Sequence, residues 1–77
     1  MFLHTKAKLK QMQKQAVTDL VRFAGGRTHL ARMLTKPLST INSWVDRGKV
    51  SKEAAEEISE HPTFNKQFPI SRMRPDL

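Results

Sequence analysis

The chain has 77 residues, which is enough for one domain and too few for a second hydrophobic core. It contains no cysteine, which excludes disulfides and thiolate metal ligands, and no apolar run approaches the roughly 18 residues of a membrane-spanning helix. Its net charge of +7, from 14 basic and 7 acidic residues, is typical of proteins that bind nucleic acid, although charge alone also fits a merely soluble basic surface. With no secretory apolar stretch at its start, the chain is predicted to be cytoplasmic and not to enter a membrane.

The positive charge is concentrated in the first two thirds of the sequence. Residues 1–24 and residues 25–50 each carry five bases and one acid, whereas residues 51–77 carry four bases and five acids. We predict that residues 1–12 form a basic N-terminal arm, because their apolar residues are weakly patterned and chain ends are often loose, although Leu9, Met12 and Ala16 could extend the next helix backwards. The lysines of this arm are candidates for contacts with phosphate: Lys6, Lys8 and Lys10.

Two helices are predicted next in the chain. The first spans about Gln13–Ala24, where apolar residues recur at helical spacing, and the glycines at 25 and 26 end it. The second spans about Arg27–Leu34, and Thr35–Pro37 interrupts it because proline is tolerated only in the first turn of a helix. The side chains predicted to point inward from the second helix are Leu30, Ala31 and Leu34.

A third helix, predicted over about Leu38–Arg47, carries the strongest functional signal. Ile41 and Trp44 lie one turn apart and anchor it to the core, so that short polar side chains remain on its outer face. Such a face can enter the major groove of DNA and bond to base edges, although a break between two helices also fits an ordinary helical hairpin. The predicted base-reading residues are Arg27, Leu38, Ser39, Thr40, Asn42 and Ser43, and further phosphate contacts are expected from Lys36, Arg47 and Lys49.

The rest of the chain adds one more helix and a short apolar extension. Ser51 is a favourable N-cap for a helix over about Lys52–Glu60, which completes a helix-turn-helix domain over residues 13–61. Residues 62–77 form a C-terminal extension in which Pro69–Met73 would add one helical turn. We expect some of its large apolar side chains to pack on the domain and others to contribute to a homodimer: Phe64, Phe68, Ile70 and Met73. The predicted fold is therefore all-α, with four or five short helices.

Two segments resemble a known family. Residues 25–60 resemble the helix-turn-helix of the Cro-type repressors of lambdoid phages, and Ile70–Leu77 looks like the closing motif of the YdaS family of prophage Cro-like regulators and antitoxins. The matching positions are Gly26, Ala31, Leu34, Ile41, Trp44 and Arg74–Asp76. The resemblance implies a lambda-repressor-like domain that acts as a homodimer on double-stranded operator DNA, in the cytoplasm of a bacterial host and on the nucleoid when bound.

The turn between the second and third helices departs from the family pattern. Thr35 stands where the family usually has glycine, Lys36 where it has an apolar residue, and Pro37 where it has a capping serine. A β-branched residue is unfavourable at positive φ, so we expect this turn to differ locally from that of the family.

The alternative function is an antitoxin that acts mainly by binding a toxin protein. Such an antitoxin would require its partner protein and would tolerate changes on the outer face of the third helix, whereas a DNA-binding regulator would do neither. We do not expect an enzyme, because the sequence has no Ser/His/Asp grouping, no phosphate-binding glycine loop and no paired carboxylates, and its histidines lack ligand spacing. No metal or other cofactor is predicted.

Overall fold

A computed structural model describes residues 6–77, and every regular element in them is a helix. The helices are α1 (Lys6–Ala24), α2 (Arg27–Leu34), α3 (Leu38–Arg47), α4 (Lys52–Glu60) and α5 (Ile70–Met73). The all-α prediction is confirmed, and so are the predicted bounds of α2, α3 and α4. No helix in this part of the chain is both long enough and apolar enough to cross a membrane.

The predicted basic arm is largely part of α1. Within the described residues this helix extends back to Lys6, beyond the predicted start at Gln13, because the half-buried Leu9 and Met12 continue its apolar side and no glycine or proline interrupts it. Residues 6–12 are therefore helical, which corrects the prediction of a loose arm, while residues 1–5 lie outside the described residues. Since most side chains of the first two turns are exposed, this end of α1 presents its lysines on a rigid support.

The core is built from one side of each helix together with the extension. Every side chain predicted to point inward from α2 is buried, and so are Ala54, Ala55 and Ile58, the apolar residues of α4 expected to face the core. The extension supplies large buried groups as well, with 0%, 1% and 0% of the surface of Phe64, Phe68 and Met73 exposed. The expectation that part of the extension packs on the domain is thus confirmed, and Ile70 is the exception among its four large apolar side chains, with 36% exposed.

Thr35 closes α2 in a left-handed conformation, with φ 56° and ψ 48°. Its N–H donates to the carbonyl of Arg32 at 3.2 Å, and the N–H of Lys36 donates to the carbonyl of Ala31 at 2.9 Å. These bonds satisfy carbonyl groups that the end of a helix leaves without a partner. The expected departure from the family turn does not extend to the backbone of Thr35, which takes the conformation that glycine usually supplies there.

The connection between α3 and α4 brings α1 close to the end of α3. Gly48 ends α3 with φ 73°, and a Cβ atom at this position would lie only 3.3 Å from the Cβ of Lys14 on α1. Ser51 then caps α4 as predicted, because its hydroxyl accepts a hydrogen bond from the N–H of Ala54 at 3.1 Å. The close approach at Gly48 places the first half of α1 beside the end of α3.

Candidate nucleic-acid interface

The outer face of α3 carries the side chains predicted to read bases. Ile41 and Trp44 are buried, with 0% and 6% of their surface exposed, so the predicted orientation of the helix is confirmed. Its exposed and half-buried side chains include the predicted set of Leu38, Ser39, Thr40, Asn42 and Ser43. Apart from Leu38 these are short and polar, and therefore suited to close approach to base edges.

Arg27 and Asn42 are joined although they lie on different helices. Nη1 of Arg27, in the first turn of α2, donates a hydrogen bond of 2.9 Å to Oδ1 of Asn42 in the middle of α3. Both residues are predicted base readers, and the bond brings them to one site. Because it engages Oδ1, the amide nitrogen of Asn42 is left free to donate to a ligand.

A basic groove lies along one side of α3, between the end of that helix and the first half of α1. We call it the α1–α3 groove; its volume is about 1260 Å³. It is lined by five cations and by two carboxylates: Lys6, Lys10, Lys14, Arg47 and Lys49, with Asp46 and Asp76. A smaller groove shares Thr18 and Val45 with it and continues to Arg22 and Arg27. Positive charge therefore follows α1 as far as the Arg27–Asn42 pair.

A second basic groove, the α3–α4 groove, lies on the other side of α3 and has a volume of about 460 Å³. Its charged lining consists of four cations, Arg47, Lys49, Lys52 and Arg74, and hydroxyl groups come from Thr40, Ser43 and Ser51. Arg47 and Lys49 line both grooves. Cations thus lie on both sides of the polar face of α3.

Two of the predicted phosphate-binding lysines lie apart from these grooves. Lys8 lines a different surface, near Asp19 and Arg72, because in a helix it lies nearly opposite its neighbours two positions away. Nζ of Lys36 forms an ion pair of 3.0 Å with Oε1 of Glu57 on α4, which a phosphate would have to displace. The structure therefore groups Lys6, Lys10, Arg47 and Lys49, and it separates Lys8 and Lys36 from them.

Sequence reasoning missed four basic residues that line the grooves: Lys14, Arg22, Lys52 and Arg74. For α1 a signal was present, since Lys6, Lys10, Lys14 and Arg22 are separated by multiples of four residues and so lie along one ridge of a helix. For Arg74 no local pattern reveals its position, because only the folded chain brings the extension to α3.

Arg74 links the extension to the segment between α3 and α4. Its guanidinium donates to the carbonyl of Val50 at 3.0 Å and forms two hydrogen bonds with the Asp76 carboxylate, at 2.9 and 2.8 Å. These side-chain bonds hold the pKa of Asp76 below its usual value and raise that of Arg74. The pair thereby fixes the wall of the α3–α4 groove that the extension contributes.

A helix with a short polar face between two basic surfaces is an arrangement that can be compared with the dimensions of double-stranded DNA. The major groove is about 12 Å wide, admits one α-helix, and is bordered on both sides by phosphates. Within residues 6–77 no group of three or more histidine, aspartate or glutamate side chains is placed to hold a metal ion. Comparisons with protein-family models, curated proteins and solved structures found no match, so the resemblance to the Cro-type repressors stays a prediction.

Proposed function

We propose that the protein is a sequence-specific DNA-binding regulator, a Cro-like repressor that acts by occupying operator DNA without a catalytic step. The observation that carries the proposal is the short polar face of α3, flanked on both sides by basic grooves. Short side chains allow the helix to approach base edges, and the flanking cations attract the two phosphate strands.

In this proposal α3 lies in the major groove, and Asn42 pairs with an adenine. Its amide group can donate to N7 and accept from the N6 amino group of that base. Arg27 steadies the Asn42 side chain through the 2.9 Å bond and adds positive charge beside the adjacent phosphate. Because one helix reads only a few base pairs, a homodimer on two half-sites about one DNA turn apart gives the required specificity.

The experiment begins with selection of DNA fragments by the purified protein, followed by sequencing. We expect enrichment of one inverted repeat, to which Asn42→Ala binds roughly 5- to 150-fold more weakly, with relaxed preference at one position in each half-site. Its free energy of unfolding should change by no more than about 0.5 kcal/mol, since Asn42 lies outside the core.

Trp44→Ala is the matched comparison on the same helix. It removes a core side chain with 6% of its surface exposed, and should lower the free energy of unfolding by about 3–5 kcal/mol. Each variant needs one thermal melt and one titration with enriched and scrambled duplexes. Normal operator binding by Asn42→Ala together with a stably folded Trp44→Ala would overturn the proposal, and DNA binding that requires a partner protein would favour the antitoxin alternative.

A further inference from the structure

We propose that the α1–α3 groove holds the phosphate backbone of one DNA strand that flanks the bases read by α3. The inference rests on the proposed function and extends it, since it gives the first half of α1 a binding role of its own. The ligand class is a run of phosphodiesters, and the contact is independent of base sequence.

The cations of the groove are spaced and available for such a ligand. Lys6, Lys10 and Lys14 follow one another at intervals of four residues, which is about 6 Å along a helix axis. All three are exposed, and among residues 6–77 none of the groove's five cations is in a salt bridge. The carboxylate of Asp76 is already bound by Arg74 and also attracts Lys49, but the five cations of the groove outnumber its two carboxylates, Asp46 and Asp76.

Gln13 adds a neutral donor to the lining of the groove. It lies on α1 between these lysines, with 5% of its surface exposed, and its side-chain amide makes no hydrogen bond with any other residue of the described chain. The amide remains accessible to solvent, because no side-chain nitrogen or oxygen of the described residues is both enclosed and without a partner. It can therefore donate to a phosphate oxygen in the groove, since such oxygens accept from glutamine side chains as well as from lysine and arginine.

Continuity with the base-reading face favours a DNA strand over an acidic protein segment. The groove shares Thr18 and Val45 with the smaller groove that reaches Arg27, and Arg27 is bonded to Asn42. A strand in the groove would therefore run beside the bases that Asn42 contacts. Binding of the strand by these lysines requires that α1 is helical from Lys6, because only a helix places Lys6, Lys10 and Lys14 on one ridge.

The test compares two double variants that remove the same charge. Lys10→Gln with Lys14→Gln changes the groove, whereas Lys8→Gln with Lys66→Gln changes a different side of α1 and the turn after α4. Glutamine and lysine have similar helix propensities, so α1 should persist in both. Each protein is titrated with a duplex of about 30 base pairs, of enriched or scrambled sequence, at about 50 to 200 mM KCl.

We expect the groove variant to lower the slope of log affinity against log salt by about 2, equally on both duplexes. The control variant should keep the parental slope. Hydroxyl-radical protection by the groove variant should be lost at the flank of each half-site and kept at its centre.

Equal slopes for the two double variants would overturn the inference, because net charge and not the groove would then govern binding. An unchanged slope in the groove variant would overturn it as well, and would leave an acidic protein segment as the occupant. If Asn42→Ala still loses sequence preference in that case, the proposed function stands and only the inference fails. If slopes differ as expected but no sequence is enriched, the groove binds DNA and the base-reading proposal fails.

Discussion

Thr35 is a β-branched residue in a conformation that usually belongs to glycine. Among residues 6–77 it is the only residue other than glycine with a positive φ, and it joins the two helices of the candidate interface. A left-handed conformation costs an L-residue roughly 1–2 kcal/mol. The chain keeps it because the bonds from Thr35 and Lys36 close the end of α2.

We therefore expect Thr35→Gly to stabilise the protein by about 0.5–1 kcal/mol, since relief of this strain exceeds the entropy that glycine loses on folding. Urea unfolding measures the change. Thr28→Gly is the matched control, because Thr28 lies in α2, where glycine lowers helix stability. Equal destabilisation by the two substitutions would contradict a left-handed Thr35.

The Arg74–Asp76 pair gives stability a defined dependence on pH. The hydrogen bonds from Arg74 hold the pKa of Asp76 below its ordinary value of 3.8. A carboxyl group whose pKa is lowered by folding stabilises the folded state fully above its ordinary pKa, and the contribution is lost as pH falls through the lowered pKa.

The expected result is a difference in thermal midpoint between the parent and Asp76→Asn that stays constant above about pH 5 and shrinks below pH 3.8. Melts of both proteins across this range measure it. A difference that persists unchanged at about pH 2 would show that the carboxylate charge does not matter.

At the scale of helices, local signals determined what could be predicted. The end of α2, the end of α3 and the start of α4 follow from Pro37, Gly48 and Ser51, each of which acts through its own backbone or side chain. Residues 6–12 of α1 carry no such signal, because most of their side chains are exposed and none of them is acidic. The prediction of a loose arm was therefore wrong for residues 6–12.

In the candidate site, too, some features could be predicted from local signals and others could not. The face of α3 was predictable because the spacing of Ile41 and Trp44 fixes the opposite side. The two basic grooves were not predictable, since each depends on which surface of another helix or of the extension lies beside α3. The location of Lys8 and Lys10 on different surfaces could be inferred only once α1 was known to include them.

Ala31 tests the packing of α2 against α3. These helices contact each other, and Ala31 is buried with 6% of its surface exposed. Ala31→Leu should overpack this contact and lower the free energy of unfolding by about 1–3 kcal/mol, as measured by urea titration. Ala7→Leu, on the exposed start of α1, is the control and should change stability little. Equal stability of the two variants would contradict the placement of Ala31 at the contact between α2 and α3.

At the scale of the whole molecule, the extension completes the core. Phe64 and Phe68 pack edge-on against the ring of Phe23, with centroids 5.9 and 5.5 Å away. Arg72 then ties the extension to α1 through a 2.9 Å ion pair with Asp19. The extension is thus a structural part of the domain, and the side chain of Ile70 remains exposed at its surface.

Deletion of residues 63–77 should therefore unfold the protein, because it removes the buried side chains of Phe64, Phe68 and Met73 together. Circular dichroism and sedimentation measure the loss of helix and of compact shape. Ile70→Ser is the control, and we expect it to keep the parental melt, since Ile70 is 36% exposed. A truncated chain with a cooperative melt like that of the parent would contradict the structural role of the extension.

Because α5 packs against α1, we expect the protein to complete its fold only at the end of its synthesis. Until Met73 has left the ribosome, the core lacks side chains from the extension, and the emerged chain carries +4 in residues 1–24 and +4 again in residues 25–50. Because domains generally fold as units, we expect this growing chain to stay unfolded and strongly cationic next to ribosomal RNA. We also expect a premature stop before residue 73 to yield an unfolded chain that proteases degrade.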